Sequence, residues 1–80
     1  MTEKEVFEKI AELIAEIMET EIEIKPESRL TEDIGLISIG YVELVVEMEE
    51  AFSISFPDDM LTNNNLITVQ DIVDNVMKLL

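Results

Sequence analysis

The chain has 80 residues, neither Cys nor His, and 19 acidic against 5 basic side chains, a formal charge of −14. That length is expected to form one domain over 1–80, burying only about 60% of its unfolded surface and leaving little room for a catalytic cleft. The charge opposes nucleic-acid binding, and the missing Cys and His remove disulfides, zinc sites, thiol nucleophiles and the usual general base.

Hydrophobic residues make up 48% of the chain, too many for a solvated acidic tail, so a packed core is expected. The acidic start Met1-Thr2-Glu3-Lys4-Glu5 leads into no long apolar run, so neither a signal peptide nor a membrane span is expected, and a cytoplasmic location is the default. Thr2 and Glu5 read as a capping box, and Val6, Ile10, Leu13 and Ile17 recur at helical spacing, widened by Phe7, Ile14 and Met18. A helix over about Glu3–Met18 follows. Glu21-Ile22-Glu23-Ile24 alternates like a strand, but it stops at Pro26 and has no strand to pair with, so it reads as an ordered loop.

Lys25–Leu36 is a long connection in which Ile24, Leu30 and Ile34 are the expected apolar anchors, and connections of that length are usually functional. Gly35 breaks the segment and Ser38 is the expected N-cap of a second helix, whose period is kept by Val42, Val45, Met48 and Phe52 and thickened by Leu44 and Val46. Pro57-Asp58-Asp59 opens a short helix that Asn63-Asn64-Asn65 is expected to end. Thr68 and Asp71 repeat the capping box, ahead of a last stripe of Val69, Ile72, Val73, Val76 and Leu80. The expected fold is all-α: a bundle of three main helices plus one short helix.

No basic residue lies between Arg29 and Lys78. Within that interval Glu43, Glu47 and Glu50 fall at i, i+4 and i+7, a spacing at which like charges repel, so folding does not account for them; a merely solvated face is one reading, and the absence of interspersed Lys points to the other, a docking face for basic partners. Ser38 has no His to activate it and no strand-turn-helix elbow, which excludes a self-activated hydrolase. A helix N-terminus does, however, favour a phosphate ester at that serine. No calcium-type loop is present, Asp58-Asp59 being a pair on a short helix, and no metal site or catalytic residue is assigned.

Taken as one block, Leu30-Thr31-Glu32-Asp33-Ile34-Gly35-Leu36-Ile37-Ser38-Ile39-Gly40-Tyr41-Val42-Glu43-Leu44 resembles the acyl carrier proteins. In that family an Asp-Leu-Gly-x-Asp-Ser-Leu segment opens the second helix, and Ser38 stands at the position of its serine. Glu49-Glu50 with Phe52, Phe56-Pro57-Asp58-Asp59 and Ile67-Thr68-Val69-Gln70-Asp71-Ile72 continue the likeness over nearly the whole chain.

The resemblance implies a carrier, not an enzyme, with 4′-phosphopantetheine attached covalently to Ser38 from coenzyme A by a holo-synthase. The arm would supply the thiol that the chain lacks. It also implies a monomer that presents acyl thioesters, through Glu43, Glu49 and Glu50 with exposed Ile39 and Val46, to acyl-processing enzymes bearing basic patches. A helical interior with Ala11, Ala15 and Ala51 among its aliphatic side chains would shelter the acyl chain. The run from Ser38 to Leu44 is more similar to carriers of specialised polyketide or aryl-lipid clusters than to the housekeeping fatty-acid type.

Two positions depart from the pattern: Ile37 replaces the Asp before the serine, and Gly40 replaces a frequently acidic position on the same docking face. They support a rival expectation, an unmodified carrier homologue acting as an acidic interaction module. Independently of family, a charge of −14 destabilises the compact state by self-repulsion. Raising salt, or adding a divalent cation, is therefore expected to raise Tm by screening; a melt unchanged between low and moderate salt contradicts this.

Overall fold

A computed structural model describes residues 1–19, 21, 23–61 and 66–80, with Ser38, Asp59 and Leu61 described by backbone alone. Its elements are α1 (Glu3–Met18), a π-helical turn (Leu30–Ile34), α2 (Ser38–Phe52), α3 (Asp58–Leu61) and α4 (Val69–Leu79). α1 packs against both α2 and α4. Among the described residues there is no extended strand, only an isolated antiparallel bridge between Arg29 and Thr68.

Both expected capping boxes are present. The Glu5 amide donates to the Thr2 hydroxyl at 3.2 Å, and the Thr2 amide donates back to the Glu5 carboxylate at 2.9 Å. The Thr2 amide first, and then the Thr2 hydroxyl donating to the same carboxylate at 3.1 Å, hold the Glu5 carboxyl below its ordinary range. At α4 the Asp71 amide donates to the Thr68 hydroxyl at 3.1 Å and the Thr68 amide to the Asp71 carboxylate at 2.9 Å. These devices satisfy amides that the helix ladder leaves over.

The core is wholly apolar: Val6, Ile10, Leu13 and Ile14 of α1 meet Leu44, Met48 and Phe52 of α2 and Val69, Ile72, Val73 and Val76 of α4, with Leu30, Ile34, Leu36 and Phe56 from the connections. Ile24 packs against it half-buried, so all three expected anchors of the long connection hold. Leu80 falls beyond α4 and is exposed, and Leu79 packs against the core instead. Ala51 is also exposed, while Ala11 and Ala15 are half-buried, so Ala51 is not one of the small interior positions.

Two further expectations are corrected. Val42, placed on the core stripe of the second helix, is 60% exposed; Val46, read both as thickening that stripe and as an exposed contact, is 47% exposed and takes the second reading. The buried stripe is Leu44, Met48 and Phe52, flanked by half-buried Tyr41 and Val45. Nor is Ser38 the N-cap: Ile37 holds that position, extended at φ −136° and ψ 161°, and Ser38 is the first helical residue. The expected end of α3 at Asn63-Asn64-Asn65, and Ile22 of the alternating segment, lie outside the described residues.

The π-helical turn was not foreseen. Its wide closure comes from the Ile34 amide donating to the Arg29 carbonyl at 3.1 Å, and the Leu36 amide then reaches back to Leu30 at 2.7 Å. Gly35 ends the turn at φ +82°, in the left-handed region. A Cβ there would meet only the Met18 methyl at 4.0 Å, so the cost of a side chain is conformational. Gly35→Ala is expected to lose about 1–2 kcal/mol. At roughly 4–8 °C of Tm per kcal/mol for a domain of this size, calorimetry will see that loss, and an unchanged Tm contradicts the assignment.

Candidate functional site

Ser38 sits where a strapped connection turns into α2. Three main-chain bonds hold the strap to the start of α4: Leu30 N–H to the Ile67 carbonyl (2.9 Å), Val69 N–H to Ser28 (3.0 Å) and Gln70 N–H to Pro26 (2.8 Å). Inside the strap, Asp33 accepts from the Arg29 amide at 2.8 Å, and the Arg29 guanidinium pairs with Asp33 at 3.4 Å and Glu32 at 2.7 Å. The Arg29 amide above all, with a lesser contribution from its guanidinium, holds the Asp33 carboxyl below its ordinary value against the opposing effect of desolvation. Leu36, 1% exposed, pins the chain two residues before Ser38.

The start of α2 differs from those of α1 and α4. Ile37 offers no capping oxygen, and no acidic residue occupies the first turn. Among the described residues no side chain caps the positive end of the helix dipole there, and the first turn brings no acid to it, which favours an anion. Tyr41, half-buried three residues on, is pushed up by burial and stays a neutral phenol.

Outward from this point α2 carries two neighbouring strips. Ile39, Val42 and Val46 lie at i, i+3 and i+7, and Ile39 is 75% exposed; at about 100° per residue, exposed Glu43, Glu47 and Glu50 run beside them. Among the described residues none of these three glutamates has an ion-pair partner within 4.0 Å. Glu49 lies on the other flank and is half-buried, its carboxylate accepting the Phe56 amide at 2.8 Å. Among the described residues no cluster of acidic side chains could hold a metal ion, and no helix is long and apolar enough to cross a membrane. A half-open depression of about 200 Å³, lined by Arg29, Thr31, Glu32, Leu66 and Ile67, lies beside the strap.

Residues 8–76 match the family described as the phosphopantetheine attachment site. The chain is 35% identical over 79 residues to the acyl carrier protein of Chlorobium phaeobacteroides, covering 98% of this chain and 99% of that one. It is 35% identical over 78 residues to the acyl carrier protein of Thermobifida fusca, covering 96% of each. The chain belongs to the acyl carrier protein family.

Acyl carrier proteins carry their cargo on a covalently attached 4′-phosphopantetheine, act as carriers rather than catalysts, and work with synthases and acyl-processing enzymes. The uncapped, acid-free start of α2 fits the phosphodiester end of that arm. Of the carrier positions expected from sequence, Ile39, Glu43, Val46, Glu47 and Glu50 share the outer face of α2, and Glu49 stands apart, committed to Phe56. Val42, which completes the apolar strip, was missed because it had been placed in the core; its i+3 spacing from Ile39 was the available signal.

Gly40 is likewise not a vacancy on the docking face. A Cβ there would meet Leu36 Cδ1 at 3.2 Å and Ile17 Cγ2 at 3.9 Å, so it points inward, towards α1. The two roles on α2 are separable by equilibrium unfolding in urea. Glu49→Ala is expected to lose about 1–2 kcal/mol by orphaning the Phe56 amide. Glu43→Ala and Glu47→Ala are expected to stay within about 0.5 kcal/mol or gain slightly as like-charge repulsion goes. Equal losses at all three positions contradict this division.

Proposed function

We propose that Ser38 bears the 4′-phosphopantetheine arm and that the chain is a single monomeric carrier domain. Enzymes dock on the outer face of α2, through Ile39, Glu43, Val46, Glu47 and Glu50 with Glu49 at its edge. The observation that carries this reading is the start of α2: its first helical residue is a serine, with no capping oxygen before it and no carboxylate in the turn to repel a phosphate.

Arming is a phosphoryl-type displacement. The Ser38 oxygen forms a bond to the phosphorus nearest pantetheine in coenzyme A, the anhydride P–O bond breaks, 3′,5′-adenosine bisphosphate leaves, and the hydroxyl proton passes to a base on the transferase. That base comes from the partner, since the chain has no His or Cys. Once attached, the arm supplies a thiol on which acyl groups travel as thioesters.

The chain's own residues supply position and charge. The α2 amides and helix dipole favour the phosphodiester. Glu43, Glu47 and Glu50 steer basic partners and raise the encounter rate, while a charge of −14 keeps copies apart. The run from Ser38 to Leu44 favours a specialised polyketide-type pathway over housekeeping fatty-acid synthesis. One observation supports the unmodified rival: Ile37, exposed before the serine, supplies no carboxylate to an arming enzyme.

Incubation with coenzyme A, magnesium and a broad-specificity holo-synthase, read by intact mass and peptide mapping, decides between them. A gain of one phosphopantetheine on Ser38, absent in Ser38→Ala, is expected. No gain on the folded protein or on its Ile37→Asp variant, while another acyl carrier in the same mixture is armed, overturns the carrier reading in favour of the interaction module.

A further inference from the structure

Three side chains at the start of α2 are not explained by folding. Ile37 occupies the N-cap and is 59% exposed. An aliphatic residue there forgoes the stabilisation that Ser, Asp or Asn would give, and it gains little from burial. Ile39 and Val42, 75% and 60% exposed, are β-branched, and such residues are weaker helix formers than the Lys, Glu or Gln that suit a solvated position. None of the three belongs to the core cluster.

Charge is distributed to match. The first turn of α2 contains no acid, and the first carboxylate along the helix is Glu43, about 7.5 Å of axial rise beyond Ser38. Glu47 and Glu50 follow at about 13.5 and 18 Å. A protein with 19 acidic residues thus leaves the first turn of α2 without an acid and begins the acidic strip of that helix one turn further on.

We infer that Ile37, Ile39 and Val42 form an apolar patch that selects the transferase arming Ser38. The patch accepts an enzyme whose surface beside its reacting phosphate is apolar and whose basic side chains lie farther out, opposite Glu43, Glu47 and Glu50. The inference rests on Ser38 being the armed residue. The arming enzyme is the partner concerned, because it must bring the phosphorus of coenzyme A to the Ser38 oxygen and so covers the first turn of α2. Enzymes acting at the far end of the arm are not held to that contact. A transferase with Arg or Lys at this point would desolvate a cation against Ile37 with no carboxylate to pair it, which is strongly unfavourable. The patch selects by exclusion as well as by attraction.

The test uses two holo-synthases of known structure, one apolar and one basic where it covers the carrier serine. Their kcat/KM is measured by intact mass, with coenzyme A and magnesium, on the full chain and on Ile37→Asp, Ile37→Asn and Val42→Asp. Asp and Asn cap a helix about equally well, so comparing them separates charge from helix stability. The full chain is expected to favour the apolar-surfaced enzyme by about tenfold or more. Ile37→Asp is expected to move the ratio about tenfold toward the basic enzyme, with no gain for that enzyme on Ile37→Asn. Val42→Asp, which leaves the cap untouched, is expected to slow the apolar-surfaced enzyme.

Equal arming of the unaltered chain by both enzymes overturns the inference and leaves Ser38 armed. So do Ile37→Asp and Ile37→Asn rates that rise together with both enzymes, since that makes Ile37 a matter of stability alone. Failure of both enzymes to arm Ser38 in the unaltered chain and in every variant, with helical circular dichroism intact, removes the carrier reading and the inference with it.

Discussion

The placing of the first residue of α2 depends on three main-chain hydrogen bonds between residues 26–30 and residues 67–70. Without them the segment from Lys25 to Ile37 would be held only by its apolar anchors Leu30, Ile34 and Leu36, and the first residue of α2 would be less closely fixed. With them, the strap is fastened to the start of α4, itself fixed by the Thr68 and Asp71 capping box. Arg29, Asp33, Gly35 and Leu36 then carry that fixation forward in short steps to Ser38. Backbone bonds perform this task without burying polar side chains in a core that, among the described residues, is wholly apolar.

α2 serves two neighbours with opposite faces. Leu44, Met48 and Phe52 are buried, while Ile39, Val42 and Val46 face solvent. Single exposed aliphatics need no explanation, but three at i, i+3 and i+7 beside a line of glutamates form a patterned surface. The inner face is shaped by what α1 offers, and Gly40 lets α2 lie close to Leu36 of the connection and Ile17 of α1. The acid at Glu49 belongs to the fold, since it holds the Phe56 amide beyond the end of the helix.

The sequence was most legible where local chemistry alone decides. α1 and α4 each pair a capping box with a single apolar stripe, so their starts and buried faces could be read directly. α2 could be located but not oriented: with Ile39, Val42, Leu44, Val45, Val46 and Met48 it is apolar on most sides, and several phases fit the same letters. Tertiary contact with α1 chose Leu44 and Met48 over Val42 and Val46. The N-cap was displaced by one residue because serine's capping preference is only a local tendency, and buried Leu36 sets where the helix begins. The π-helical turn had no signal to find, because its wide closure depends on the strap being held from outside by residues 67–70. Within the site, the serine and the acidic strip were legible from residue type and spacing, whereas Val42 and the inward direction of Gly40 required the packing.

Among the described residues no polar or charged side chain is buried, and no buried side-chain nitrogen or oxygen lacks a partner. Cohesion of the interior therefore comes from hydrocarbon contact and shape, with no internal hydrogen bond between side chains to fix a rotamer. Such an interior has the temperature signature of apolar transfer: its driving force is largely entropic near room temperature and weakens on cooling. With no buried polar network to offset that loss, the domain is open to destabilisation from both ends of the temperature scale, by cold as well as by heat.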